Sequence, residues 1–469
     1  MSRSSQTNFD YDLVCIGSGP AGQRAAVQAA KLGKTVAVIE KKRNVGGACL
    51  DTGTIPSKTF REAILAFSSS QVFLDKNELS HPNRPKASQL FSRVKEVIGI
   101  EIAVLKDQLF RNDVVMHSGS AAFIDPHTLQ IVTELGSKQI TSDKFIITVG
   151  TIPTPPPDIP PDGTMIVNSD GVLNLEQLPK TMAVVGAGVI GIEYASMFAE
   201  LGVEVTVVDK RNRPLEFLDY EIVDELIHQM RNKNVLFRLN ETVEHLEISS
   251  NPRPRALIRL ESGKRLVADL VLYSVGRLGA TEALNLGSAG LEADERGRLN
   301  VNEHFQTSVP HIFAAGDVIG YPSLAATSSE QGRLAACYAF NVPIDPMADH
   351  FPIGIYSIPE ISMVGKTEQE LSQSKVPYET GMARYRETAR GAIMGDNTGF
   401  FKMLFHRDTR HLLGVHVIGT GATELIHIGQ AVIAMGGGLD YFMKTVFNYP
   451  TLAECYKVSA LDAYNKLSN

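Results

Sequence analysis

The chain has no tryptophan among its 469 residues and only 7% aromatics, a composition that argues against a sandwich or barrel with an aromatic core. Cysteine is scarce as well. Cys15, Cys49, Cys337 and Cys455 stand far apart, with neither the pattern of a secreted disulfide framework nor the spacing of a metal site or redox pair, so a reducing cytoplasm is expected and no metal is. No uncharged apolar run is long enough to cross a bilayer. The stretch Met1 to Asp12 is polar, carries Asp10 and Asp12, and lacks the apolar core of a signal peptide. A basic excess is also missing: 45 Lys and Arg against 52 Asp and Glu give a net charge of −7, which excludes the footprint of a nucleic-acid binder.

What the chain has in quantity is glycine, 39 residues, and the placement is informative. Tyr11 to Gly17 reads as a short buried strand running into G-S-G-P-A-G, from Gly17 to Gly22, then a helix over Gln23 to Leu32 and a second strand, Thr35 to Ile39, ending at Glu40. In this context Gly17 makes the tight turn, Gly19 lets the backbone approach a pyrophosphate, Gly22 lets helix and strand pack closely, and Glu40 is placed to accept hydrogen bonds from an adenosine ribose. The unit then repeats. Thr181 leads into G-A-G-V-I-G with Gly186, Gly188 and Gly191, a helix follows to Leu201, and Val203 to Val208 ends at Asp209. From first glycine to acid the offset is 23 residues in both copies, 17 to 40 and 186 to 209. Each copy is followed by an apolar strand closing on glycine, K-F-I-I-T-V-G at Gly150 and L-V-L-Y-S-V-G at Gly276. Two complete units predict two bound dinucleotides. The blander alternative is a pair of α/β units whose glycines serve only close packing.

Domain limits follow. The proline-rich run from Pro153 to Gly163 reads as a stiff linker. Residues 1–152 form the first dinucleotide domain and 153–279 the second. A third glycine signal, T-S-V-P-H-I-F-A-A-G-D from Thr307 to Asp317, is expected to return residues 280–345 to the first domain. Residues 346–469 lack a dinucleotide turn and mix short strands with helices, which predicts an α+β module. His406, His411, His416 and His427 in that module lack metal-ligand spacing, and Met435 to Gly438 reads as a helix stop.

These residues resemble the pyridine nucleotide-disulfide oxidoreductases, and the resemblance covers essentially the whole chain. G-G-A-C-L-D-T-G-T-I-P-S-K, from Gly46 to Lys58, is similar to that family's redox segment, Thr307 to Asp317 to its second flavin-binding segment, and Tyr356 to Thr367 to the start of its dimerisation domain. The resemblance implies an α/β fold with two Rossmann-like domains, for FAD and for NAD(P), and a C-terminal α+β dimerisation domain. It assigns Gly47, Cys49, Lys58, Ala121, Gly150, Gly316 and Asp317 to the flavin site, with Asp317 on the ribityl chain. It pairs Lys58 with Glu193 beside the flavin's hydride-accepting nitrogen, where a cation stabilises the reduced ring. A homodimer, or a larger homo-oligomer built from it, is implied too, with Tyr449 and Glu454 lining the neighbouring subunit's pocket.

Two departures from the pattern direct the function. Members that reduce disulfides carry a second cysteine five positions after the first, and here Thr54 follows Cys49 at that place. They also carry a C-terminal histidine, and here F-N-Y-P-T-L-A-E puts Tyr449 in its position, with Glu454 retained. A phenol with a reference pKa of about 10 is a poor base at neutral pH. Hydride delivered to the flavin then has no dithiol to receive it, and the expected outlet is a second nicotinamide: NADPH delivers, departs, and NAD collects at the same site. Asp209 suits the free ribose hydroxyl of NAD, whereas Lys210, Arg211 and Arg213 offer charge to the 2′-phosphate of NADP. The alternatives are an NAD(P)H-dependent flavin oxidase or diaphorase, in which Cys49 is a small buried hydrophobe or a residual nucleophile, and a non-catalytic relative of lipoamide dehydrogenase.

Overall fold

The computed structural model describes residues 9–72, 85–156, 161–249 and 253–468. Residues 1–8 of the N-terminal tail and 157–160 of the proline-rich run lie outside them.

The strand Tyr11–Ile16 is buried along its last four residues and pairs in parallel with Val36–Glu40 on one side and Gly136–Ile147 on the other. Val115–Ser118 extends the sheet beyond Val36–Glu40, and Ile312–Ala314 pairs with the far side of Gly136–Ile147. That last strand, predicted from the third glycine signal, follows the second sheet in the chain and returns to the first. The first half of Gly136–Ile147 bends into an antiparallel meander with Thr128–Thr133 and Ser120–Asp125. The helix Pro20–Lys31 starts on a proline, which needs no hydrogen-bonded N–H in the first turn. It buries Ala21, Ala25, Ala26 and Ala29. Small residues on this face let a second helix, Ala325–Ala339, cross so closely that a Cβ on Gly332 would lie 2.0 Å from the Ala21 carbonyl oxygen.

The second sheet repeats the first. Thr181–Val185 lies between Glu204–Asp209 and Leu270–Tyr273, flanked by Leu236–Leu239 and Ile166–Val167, all parallel, with the meander Val243–Ser249, Arg255–Leu260 and Arg265–Ala268 inserted at the matching place. Both acids end their strands: Glu40 and Asp209 are terminal strand residues, one position past the strands predicted from sequence.

The proline-rich connection differs from a simple spacer at its start. Thr151–Pro153 forms a two-stranded antiparallel ribbon with Arg277–Gly279, so the chain's exit into the second sheet and its return are hydrogen-bonded to each other. Arg277 reinforces the ribbon, its Nε and Nη2 donating to the Thr151 hydroxyl and carbonyl oxygens at 2.8 Å each.

The C-terminal part is an antiparallel sheet in the order Ile353–Ile355, Ile361–Gly365, Leu412–Ile418, Phe400–His406, Tyr378–Arg384, packed by the helices Ala422–Ala434 and Glu454–Leu467. The first of these stops before Gly436, at φ 64°, as the glycine run suggested. A lysine is buried here. Lys402, one of the first six residues of its strand, all of which are buried, is 0% exposed and reaches Asp219 at 3.0 Å, Glu221 at 2.7 Å and Glu368 at 3.0 Å. Asp219 caps the helix Tyr220–Asn232 of the second sheet, so this cluster pins that unit to the C-terminal one.

Candidate active site at the junction of two dinucleotide folds

The two glycine turns are superposable in their chemistry. Gly17 and Gly186 adopt φ 109° and 103°, left-handed backbone that other residues rarely enter. A Cβ on Gly22 would lie 2.0 Å from the Gly17 oxygen, and one on Gly191 would lie 1.9 Å from the Gly186 oxygen. At Gly19 and Gly188 a Cβ would meet only open space, the room a pyrophosphate needs over a helix N-terminus. Each turn is also braced by a hydroxyl that sequence reasoning passed over. Thr148 Oγ1 donates to the Ile16 and Gly17 oxygens at 3.0 and 2.9 Å, and Ser274 Oγ to the Val185 and Gly186 oxygens at 2.9 and 3.2 Å. The signal was present, as T-V-G and S-V-G at the ends of matching strands.

Glu40 stands under the first turn, its Oε2 accepting from the Ser18 amide at 3.1 Å and hydroxyl at 2.6 Å, and its Oε1 from the Lys42 amide at 2.8 Å. The short helix Gly47–Asp51 lies against the same turn, where a Cβ on Gly47 would come within 2.8 Å of the Gly19 Cα. That helix carries Cys49, which is half-buried; like the other three cysteines, all of them buried, it is free. Burial pushes the Cys49 thiol above its ordinary value against a weaker pull from its hydrogen bond with Thr54, the residue at the second-cysteine position. Ala121 is buried in the strand Ser120–Asp125, Gly150 follows the return strand at φ 65°, and Gly276 opens the ribbon at φ 133°.

From the third glycine signal, Gly316 at φ 83° turns the chain so that Asp317 enters the interior, the Gly316 amide being held by Gln331 Oε1 at 2.9 Å. Burial raises the Asp317 carboxyl above its usual range, opposed by the charge of Arg277 and by hydrogen bonds with Ser328 and Thr151.

Lys58, on the helix Thr54–Val72, and Glu193, on Val189–Glu200, meet where the two sheets' units abut. The ammonium lies 2.9 and 2.7 Å from the two carboxylate oxygens, with Glu193 nearly buried and Lys58 23% exposed. A third segment closes this junction. The Tyr356 amide donates to Glu193 Oε1 at 2.8 Å, the Lys58 ammonium lies 4.9 Å from the centre of the Tyr356 ring, and the Ile358 amide donates to Ser196 Oγ at 2.9 Å. Buried Arg61, one turn after Lys58, reaches the Ser357 carbonyl at 3.0 Å and Glu360 at 3.0 Å. None of these supports was singled out in the sequence, although Tyr356 to Glu360 lies within a segment noted for its resemblance.

The other expected site residues divide between the second turn and positions away from both. Tyr449 is 67% exposed on its own subunit. Glu454 begins the last helix with its Oε2 buried and without a hydrogen-bond partner. Asp209 is within the second site, and burial tends to raise its carboxyl, but the bonds from Arg211 and the Ala187 amide outweigh burial and hold it below the usual carboxylate range. Lys210 is exposed. Arg211 and Arg213, read from sequence as charge on offer to a phosphate, already hold carboxylates, Asp209 and Asp224. Side chains two and eleven residues from their acids fold back onto them, which strand and turn patterns do not reveal. His416 is buried with Nε2 on the Lys366 carbonyl at 2.9 Å, and no group of three or more metal-ligating side chains occurs among the described residues. No helix among them is long and apolar enough to cross a membrane.

Two glycine turns of matching geometry, each at a helix N-terminus, and an ion pair joining their units are the pattern of a scaffold for two dinucleotides. The chain belongs to the pyridine nucleotide-disulphide oxidoreductase family: residues 11–332 match it, and residues 351–460 match its dimerisation domain. It is similar to the soluble pyridine nucleotide transhydrogenase of Mycobacterium tuberculosis, 50% identical over 461 residues that cover 98% of each chain. It is also similar to the protein of that name from Vibrio atlanticus, 43% identical, covering 97% of this chain and 98% of the relative. Among solved structures, the HOCl-induced flavoprotein disulfide reductase RclA of Escherichia coli matches with a TM-score of 0.87 at 27% identity, covering 96% of this chain and 99% of that one.

Proposed function

We propose that this protein exchanges hydride between NADPH and NAD, with the first turn holding FAD and the second accepting both nicotinamide dinucleotides in succession. The observation that carries this reading is the Lys58–Glu193 pair spanning the two units, beside a Cys49 whose side-chain partner is Thr54 and not a second thiol. The first site fits a flavin dinucleotide in its own residues: an open pyrophosphate turn at Gly19, an acid at Glu40 for the ribose, and a half-buried carboxyl at Asp317 for the ribityl chain. FAD, when bound, supplies the ring that takes hydride from one nicotinamide and returns it to the next. Lys58 stabilises negative charge at that ring, Glu193 fixes the ammonium, and the Tyr356 to Glu360 segment holds both helices in register. The high identity to two transhydrogenases supports the same reaction.

The domain division at 1–152, 153–279, 280–345 and 346–469 is part of this reading. So are a cytoplasmic location and a homodimer, or a larger homo-oligomer built from it, in which Tyr449 and Glu454 reach the neighbouring subunit's flavin pocket.

The test is anaerobic. Mixed with the yellow holoprotein and NADPH, a spectrally distinct NAD analogue should be reduced in stoichiometric amount. Flavin that NADPH bleaches but that only oxygen reoxidises would replace this reading with the oxidase.

A further inference from the structure

A carboxylate has about four positions at which it accepts hydrogen bonds. Asp209 has filled all of them: Oδ2 accepts from the Ala187 amide at 2.5 Å and Arg211 Nη2 at 2.7 Å, and Oδ1 from the Arg211 amide at 2.8 Å and Arg211 Nε at 2.9 Å. The first copy of the unit provides an internal comparison. Glu40 has the same two backbone bonds, from Ser18 and Lys42, and a third from the Ser18 hydroxyl, but the Lys42 ammonium is turned away to Asp51, so one acceptor position stays open. The second acid therefore carries two bonds from a guanidinium where the first carries one from a serine hydroxyl, and only the second is filled.

That difference bears on what each state of the acid can read. A ribose with a free 2′-hydroxyl needs acceptors, and Asp209 capped by Arg211 offers none. A 2′-phosphate needs donors and is repelled by a bare carboxylate; capped, Asp209 is neutralised, and Arg211 has spent only two of its five side-chain N–H groups, leaving three for phosphate oxygens. Arg213 is held by Asp224 and lies over the Tyr220 ring at 4.6 Å, so it is committed elsewhere. The Arg211 side chain is 35% exposed and Asp209 5%, so the guanidinium can move out into water, and the buried acid it leaves is satisfied by the ribose hydroxyls that displace it.

We propose that Arg211 is the residue that lets one site serve two substrates, by occupying two positions. Seated on Asp209 it converts the acid into a 2′-phosphate receptor; swung off, it frees the carboxylate for the ribose diol of NAD. The inference rests on the reading that the second site takes both dinucleotides.

The test uses the holoprotein with a dye as terminal acceptor and NADPH or NADH as separate donors. Arg211→Ala should raise KM for NADPH at least about tenfold while KM for NADH stays level or falls, because the carboxylate is now free. Asp209→Ala should act oppositely, raising KM for NADH while KM for NADPH holds or falls. Arg211→Ala shifting both KM values by one factor, or neither, overturns the proposal, and so does Asp209→Ala weakening both donors equally. Wild-type flavin that NADPH or NADH fails to bleach overturns the functional reading beneath it.

Discussion

Cys49 is the residue at which family resemblance and chemistry part. Its thiol is pushed up by burial, and the nearby Asp317 carboxylate adds to that, so the neutral form dominates at physiological pH. Hydride exchange should therefore survive Cys49→Ser with turnover within about twofold of wild type, and alkylation of Cys49 should accelerate only above the ordinary thiol pKa of about 8.5. Stopped-flow transfer to the NAD analogue and iodoacetamide labelling across pH check the two halves. Loss of transfer in the serine variant would give the thiol a role in the reaction. At this scale the sequence was legible where a position is occupied by an unexpected type, as at Thr54, which is hydrogen-bonded to Cys49. It was silent where two ordinary types choose each other: nothing in D-K-R marks Arg211 as folded onto Asp209, since the partner is decided by the turn after the strand.

Among elements, the glycine turns make the sharpest prediction because the same substitution has different consequences in the two copies. Alanine at Gly191 places a methyl 1.9 Å from the Gly186 oxygen, so helix and strand must separate at a cost of about 1–3 kcal/mol or more. Gly191→Ala should purify yellow yet fail to be bleached by NADPH, whereas Gly22→Ala should purify with little flavin. A colourless Gly191→Ala would mean the turns are not independent sites. The turns and their flanking strands were legible from the repeated 23-residue offset. Their hydroxyl braces were not, because Thr148 and Ser274 act on glycines more than eighty residues earlier and only the sheet order brings them together.

At the scale of the molecule, the units are joined by charge as well as by apolar surface. Burial tends to raise the Asp219 carboxyl, but His416 and Lys402 outweigh it and hold it below the usual range, so its contribution to stability is present at neutral pH and is lost as pH falls through that lowered pKa. Lys402→Met removes the cation and leaves Asp219 buried without it. Urea unfolding at pH 7 should show a loss of about 3–5 kcal/mol. The pH dependence should also weaken: without the lysine the Asp219 carboxyl is held down less, its protonation is reached at higher pH, and the variant's deficit relative to wild type shrinks on acidification. A variant whose deficit is constant from pH 7 to pH 5 would exclude that origin. Lys402 was illegible in sequence because a lysine in a strand reads as the solvent face, and this strand has none over that stretch. The ribbon of Thr151–Pro153 and Arg277–Gly279 has a consequence for biosynthesis. The second sheet, from Ile166 to Tyr273, is contiguous in the chain and can close as soon as it is made, while the first cannot gain its last parallel strand until Ile312–Ala314 emerges. A nascent chain thus completes its guest before its host, and the ribbon ties the loop's two ends together ahead of that final, most distant pairing.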